Sequence, residues 1–186
     1  RGPTIVFCRT KRTAQKTSDE LIERGFRAAT IHGDLGQSAR EKALNDFKAG
    51  KSDVLIATDV AARGIDIDGI THVINYQCPE DEKTYVHRIG RTARAGAHGI
   101  AVTFVDWDEL ARWKMIDTAL SLGLPEPEET YSSSEHLYEM LNIPVGSTGR
   151  VKKVRPAEKA TKPSVAKEEG ANRAKRERIR TKRISN

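Results

Sequence analysis

The stretch TIVFCRTKRTAQKTSDELIERGFRAATIH, residues 4–32, decides the fold. Its first five residues are continuously apolar and rich in β-branched side chains, which reads as a buried strand. Residues 11–24 follow a helical pattern, with Leu21 and Ile22 apolar and Gly25 as the stop. AATIH, 28–32, is the next strand. Outward from this unit the alternation repeats. A helix is expected over 37–49, with Ala43, Leu44 and Phe47 on one face and Gly50 ending it. Strands are expected over 53–58, 72–76 and 99–105, and helices over 81–91 and 107–122. Near-continuous apolar strands between amphipathic helices imply an α/β fold with a parallel sheet covered on both faces. Such sheets carry function at the carboxyl ends of their strands. The polar motifs fall there: His32-Gly33-Asp34, Thr58-Asp59 and Asn75-Tyr76 each close a strand.

The 186 residues allow one ordinary domain and an appendage. No apolar run approaches the roughly 18 residues of a membrane span. The chain opens Arg1-Gly2-Pro3 without an initiator Met or a signal peptide, so a piece of a longer protein is expected. Cys8 and Cys78 form no CxxC pair and read as small apolar fillers in a reducing compartment. The net charge of +6 is split: residues 150–186 hold 14 Lys or Arg against 4 Glu, while the rest holds 18 against 22 acids. The expected organisation is a domain over 1–125, a linker or surface wrap over 126–149 with a short helix over 135–141, and a basic, disordered tail over 150–186. The tail lacks aromatics for base stacking, yet its charge suits phosphate. A solvated tail that aids solubility is the plainer alternative.

Three segments carry chemistry. HRIGRTARAG, 87–96, spaces Arg88, Arg91 and Arg94 by three, and two converging guanidinium forks suit a phosphate tail. An exposed basic helix face would show the same spacing. ATDVAARGIDI, 57–67, places Gly64 at a turn and Asp66 beyond it, where a carboxylate can take a ribose hydroxyl pair; an Asx-type turn or helix cap is the alternative. HGDLGQSAR, 32–40, sets Gly33, Gln37 and Arg40 around a helix N-terminus, which suits a phosphate backbone as well as an ordinary helix start.

Taken in order, IVFCRTK (5–11), HGDLGQSAR (32–40), IATDVAARGIDI (56–67), VINYQCP (73–79) and HRIGRTARAG (87–96) resemble the motif set of the C-terminal, RecA-like domain of DEAD-box ATP-dependent RNA helicases, a bacterial one being the expectation. The resemblance spans residues 1–125. Ala93 stands where the family usually has Gly, and the methyl group is expected to cost little. The resemblance implies that two RecA-like domains close over ATP and RNA. Arg91 and Arg94 would reach the γ-phosphate, with Arg94 as arginine finger. Asp66 would hold the ribose, Gly64 would give backbone access, and His87 would couple to the partner domain. Gly33, Gln37, Arg40 and Thr58 would contact the RNA backbone. GxxxxGK[ST] and Asp-Glu-Ala-Asp runs are missing, so the Mg²⁺ ligands are expected from the N-terminal domain and no ATP hydrolysis from this chain alone. Cytoplasmic location, ribosome assembly or RNA turnover, and no membrane partner follow from the same resemblance. A related DNA helicase and a non-catalytic RNA-binding adaptor are the alternatives.

Overall fold

The computed structural model describes residues 2–65, 67–93 and 98–151. The chain divides into two compact units, Arg1–Lys153 and Val154–Asn186, and the second lies outside the described residues, as does the expectation of a disordered tail. The first unit runs β1 (Thr4–Cys8), α1 (Lys11–Glu23), β2 (Ala28–Ile31), α2 (Gln37–Lys48), β3 (Val54–Thr58), α3 (Asp59–Ala62), β4 (His72–Asn75), α4 (Glu82–Ile89) and β5 (Ile100–Thr103). A 3₁₀ turn (Trp107–Glu109), α5 (Leu110–Leu120) and α6 (Glu135–Met140) follow.

All five strands pair in parallel, in the order β2-β3-β1-β4-β5. The period-2 alternation of strands divides their side chains between two faces. Ile5, Phe7, Leu55, Ala57 and Val73 meet Phe47 of α2 and Ala61 and Ala62 of α3 on one face. Val6, Cys8, Val54 and Ile56 meet Ala14 and Leu21 of α1 on the other. The crossover from β1 to β2 runs toward one edge over the α1 face. Those from β2 to β3 and from β3 to β4 run the opposite way over the other face. A constant right-handed crossover requires this division, and it is why helices cover both faces. A third cluster joins Cys78, Trp113 and Ile116, with Tyr85 of α4 against it. At the β5 edge the cover thins: Ile100 is 47% exposed and Phe104 51%.

Helix boundaries follow local chemistry. Thr10 caps α1, its Oγ1 accepting from Thr13 N at 3.1 Å. The helix expected over 81–91 ends at Ile89. Gly90 sits so tightly against the last turn that a Cβ there would lie 2.9 Å from Val86 O. Arg91 therefore lies beyond the helix rather than on it. The single helix expected over 107–122 is a 3₁₀ turn and then α5, because Asp106 and Glu109 form a capping box, and Ser121 in the left-handed region ends it. Beyond α5 the chain is tied back by Trp113 Nε1 to Leu124 O at 2.7 Å and Leu124 N to Asp117 Oδ1 at 2.7 Å. Further on, Val151 N donates to Arg24 O at 3.0 Å.

Asp81 caps α4, its Oδ1 accepting from Thr84 N at 2.7 Å. The Thr84 backbone N–H, and then its hydroxyl, hold this carboxyl below the usual carboxylate range. A carboxyl lowered on folding stabilises the fold above its unfolded value, and that contribution is lost as pH falls through the folded value. Asp81→Ala should therefore cost about 1 kcal/mol in chemical denaturation at neutral pH and less in acid, as expected of a lost cap. An equal loss at both pH values would assign the effect to something other than the charged cap.

Candidate functional site

The carboxyl end of β3 sets the site. Thr58 ends the strand in extended conformation and is the N-cap residue of α3, without a side-chain cap bond. The α3 segment is four residues long. A helix that short has no stability of its own, because one turn does not recover the cost of nucleation. Only Ala61 and Ala62 anchor it in the core, and Val60 is 71% exposed. Gly64 then turns the chain at φ +74°, a conformation that side chains rarely adopt.

Three arginines from two other helical segments hold this short piece. Arg40 of α2 donates from Nη2 to Ala61 O at 2.9 Å. Arg91, just past α4, donates from Nη1 to Ile65 O at 2.8 Å. Arg88 of α4 binds Asp59 through both carboxylate oxygens, Nε to Oδ1 at 2.7 Å and Nη2 to Oδ2 at 2.8 Å. Arg88 is 1% exposed, although its partner's side chain is 32% exposed. Its remaining Nη1 donates to Gln77 O at 3.0 Å and Asn75 Oδ1 at 3.3 Å. Asn75 is itself buried and donates to Thr103 Oγ1 at 2.9 Å. The guanidinium also lies 5.4 Å from the centre of the Phe7 ring. Arginine suits this place because a planar fork matches a carboxylate and stacks on a ring at once, which an ammonium does not. A guanidinium buried in this way needs its partner: removing one member of such a pair typically costs about 3–5 kcal/mol, less where the survivor reaches water.

The residues expected to bear function separate into two groups along this edge. Gly33, Gln37, Arg40 and Thr58 gather where β2, α2 and β3 meet. Gly33 and Gln37 are exposed and Thr58 is buried. A Cβ at Gly33 would meet nothing within 4 Å, so packing within the chain does not demand the glycine. Gln37 Nε2 binds Glu41 Oε1 of its own helix at 2.6 Å, while the α2 N-cap residue Gly36 offers no side-chain cap, leaving the first amides of the helix open to a ligand. Gly64, His87 and Arg91 form the second group, on the α3–α4 side, with His87 exposed. Asp66 and Arg94 lie outside the described residues.

The arginines give this edge donors suited to an anion. Among the described residues, no group of three or more His, Cys, Asp or Glu stands ready to hold a metal. A nucleotide phosphate fits better: Arg91 pairs with no carboxylate among the described residues, and the positive-φ turn at Gly64 beside it has open space. A groove of about 550 Å³ between α1 and the end of β2, lined by Lys11, Gln15, Lys16, His32 and Asp34 among others, holds none of the expected site residues. It lies apart from the site, which is an open edge and not an enclosed pocket. Both thiols are chemically silent at neutral pH. Burial pushes Cys8 up to about 11 despite Thr17 and Arg88, and burial with Glu109 does the same for Cys78.

The sequence marked Arg88, Asp59 and Asn75 within its motifs but gave none of them a role. The pairing between Arg88 and Asp59 joins positions 29 residues apart, and no local pattern marks it. A weaker sign was available: Asn75 is a polar residue inside an apolar run. Glu109, 5% exposed, was passed over too. It binds Arg9 from the end of β1 and accepts from Cys78 N at 3.1 Å, so it ties α5 to the ends of β1 and β4. One expectation is corrected. Ala93 lies at φ 56°, in the left-handed region, so its methyl group is strained and not harmless. Ala93→Gly should raise stability by about 1 kcal/mol in chemical denaturation. A variant no more stable than the parent would show that the turn relaxes without cost.

The helicase conserved C-terminal domain model matches residues 1–96, more than half of the chain. The ATP-dependent RNA helicase CshA of Limosilactobacillus reuteri is 58% identical over 107 residues, covering 58% of this chain and 22% of that protein. The ATP-dependent rRNA helicase rrp3 of Aspergillus terreus is 46% identical over 143 residues, covering 75% of this chain and 32% of the relative. In structure, the C-terminal domain of the DEAD-box protein Dbp5 superposes with a TM-score of 0.59 at 38% identity, over 64% of this chain and 70% of the other. The chain thus spans about a fifth of the length of CshA.

Proposed function

The chain belongs to the helicase conserved C-terminal domain family, and from that premise we propose that it supplies the trans-acting half of an ATP site and part of an RNA track in a DEAD-box ATP-dependent RNA helicase. The observation that carries this reading is the arginine-held edge at the end of β3. Thr58 precedes α3, Arg40 binds it at Ala61 O and Arg91 binds the chain just past it at Ile65 O, so both expected ligand surfaces share one short segment. The site is open along this edge, as half of a two-domain cleft would be.

In the roles proposed, Arg91 and Arg94 stabilise charge that develops on the transferred phosphoryl group. Donors aimed at that charge from a preorganised site act most strongly in the transition state. Asp66 takes the ribose hydroxyls, Gly64 gives the backbone access, and His87, exposed on α4, meets the partner domain. Gly33, Gln37, Arg40 and Thr58 hold the sugar–phosphate backbone. Backbone contacts carry no base identity, so unwinding is sequence-tolerant. ATP brings the phosphoryl chemistry, and the magnesium ligands come from the N-terminal RecA-like domain. Residues 1–125 form the catalytic half, 126–149 the wrap, and 150–186 a basic extension that adds affinity for RNA phosphates. No helix among the described residues is long and apolar enough to cross a membrane. Cytoplasmic work on ribosomal or turnover RNA fits these features.

ATP turnover, measured with and without single-stranded RNA, tests the reading. The chain alone should be silent, and the chain joined to a domain carrying the phosphate-binding loop should turn over with RNA stimulation. Arg94→Ala in the joined protein should lower kcat by about 10³ or more. Undiminished turnover in that variant would remove Arg94 from its assigned role, and turnover by the chain alone would overturn the half-site reading. Stimulation by DNA equal to that by RNA would favour a DNA helicase, and binding without turnover an adaptor.

A further inference from the structure

We propose that Arg88 is a positioning residue that couples the RNA surface to the nucleotide surface, acting through Asp59 on the α3 segment. The inference deepens the functional reading above and rests on it. α3 is one turn long, presents only two alanine methyl groups to the core and leaves Val60 71% exposed. Bulk packing does not set its orientation, so hydrogen bonds do. Four of them, from three arginines, converge: Arg40 on Ala61 O at 2.9 Å, Arg91 on Ile65 O at 2.8 Å, and Arg88 on both oxygens of Asp59 at 2.7 and 2.8 Å.

Arg88 differs from the other two arginines. Arg40 and Arg91 are partly exposed and are the groups proposed to meet ligands. Arg88 is 1% exposed and reaches none. Its other contacts lie on β1 and β4, through the Phe7 ring, Asn75 Oδ1 and Gln77 O, and Asn75 is anchored on β5 by Thr103. It is therefore a fixed post on the sheet to which the first residue of α3 is fastened. RNA drawing on Arg40 and Thr58 loads α3 at its start and middle. With Asp59 fastened, that load passes along the turn to Ile65 O and so to Arg91. With Asp59 released, the start of α3 is no longer fastened to the sheet and the two surfaces respond separately. A coupling of this kind is a free energy shared by two sites, and it works in both directions.

The test uses the whole helicase and measures the affinity of a non-hydrolysable ATP analogue with and without single-stranded RNA, beside the melting temperature. Arg88→Lys keeps the charge but loses the fork, and Asp59→Asn, on the partner that reaches water, keeps the size but weakens the pair. Asp81→Ala serves as the control, because it weakens the same helix, α4, at its cap. The parent should show a coupling of about 5–150-fold. Both clamp variants should fold, bind each ligand alone within about threefold of the parent, and bring the coupling down toward 1. Asp81→Ala should lower the melting temperature and leave the coupling intact. Clamp variants that melt earlier yet keep the parental coupling would reduce Arg88 to a structural residue. If either clamp variant does not fold, the coupling in the other decides alone. A parent in which RNA leaves analogue affinity unchanged would contradict the functional reading itself, whereas a coupled parent with coupled variants contradicts only the clamp.

Discussion

A buried guanidinium forked onto a carboxylate holds this domain's working edge together. Arg88 leaves water almost completely, and a charge in that position persists only where nearly every donor is matched. The match comes from four places: Asp59 at the end of β3, Asn75 and Gln77 around the end of β4, and the Phe7 face on β1. Parallel strands in the order β3-β1-β4 bring those places side by side at one edge of the sheet. Position in the fold thus follows from sheet topology, and the chemistry of the edge follows from one side chain that topology makes it possible to satisfy.

The strands and their parallel character were legible in sequence, because buried strands write themselves as apolar runs. TIVFC, VLIAT and HVIN appear with boundaries within a residue of those expected. Strand order was not legible, since it depends on which crossover runs over which face. The two helix ends that departed from expectation have local causes. Gly90 closes α4 against Val86 O, and the capping box at Asp106 breaks the α5 run. Four-residue α3 was not legible beside the turn expected at Gly64, because its helical form comes from the arginines that grip it and not from its own propensity.

The site was legible in a different way. Spacing marked Arg91, and motif order marked Gly33, Gln37, Arg40, Thr58, Gly64 and His87; of these, Arg40 and Arg91 bond the segment that follows β3. Spacing could not mark the 88–59 pairing, which exists only once β3 and α4 are neighbours. Nor did it mark the strain at Ala93, whose cost depends on a backbone angle and not on residue type alone. Among the described residues, Arg40, Arg88 and Arg91 supply the side-chain hydrogen bonds that hold this edge.

Backbone hydrogen exchange in the whole helicase would address the shared α3 segment most directly. Two amides report on it: Arg63 N, bonded to Asp59 O at 3.1 Å, and Ile65 N, bonded to Ala62 O at 3.2 Å. Exchange at both should slow when single-stranded RNA is added alone and again when an ATP analogue is added alone, because either ligand would steady the same turn. Slowing by one ligand only, or by neither, would mean that the two surfaces do not meet in α3.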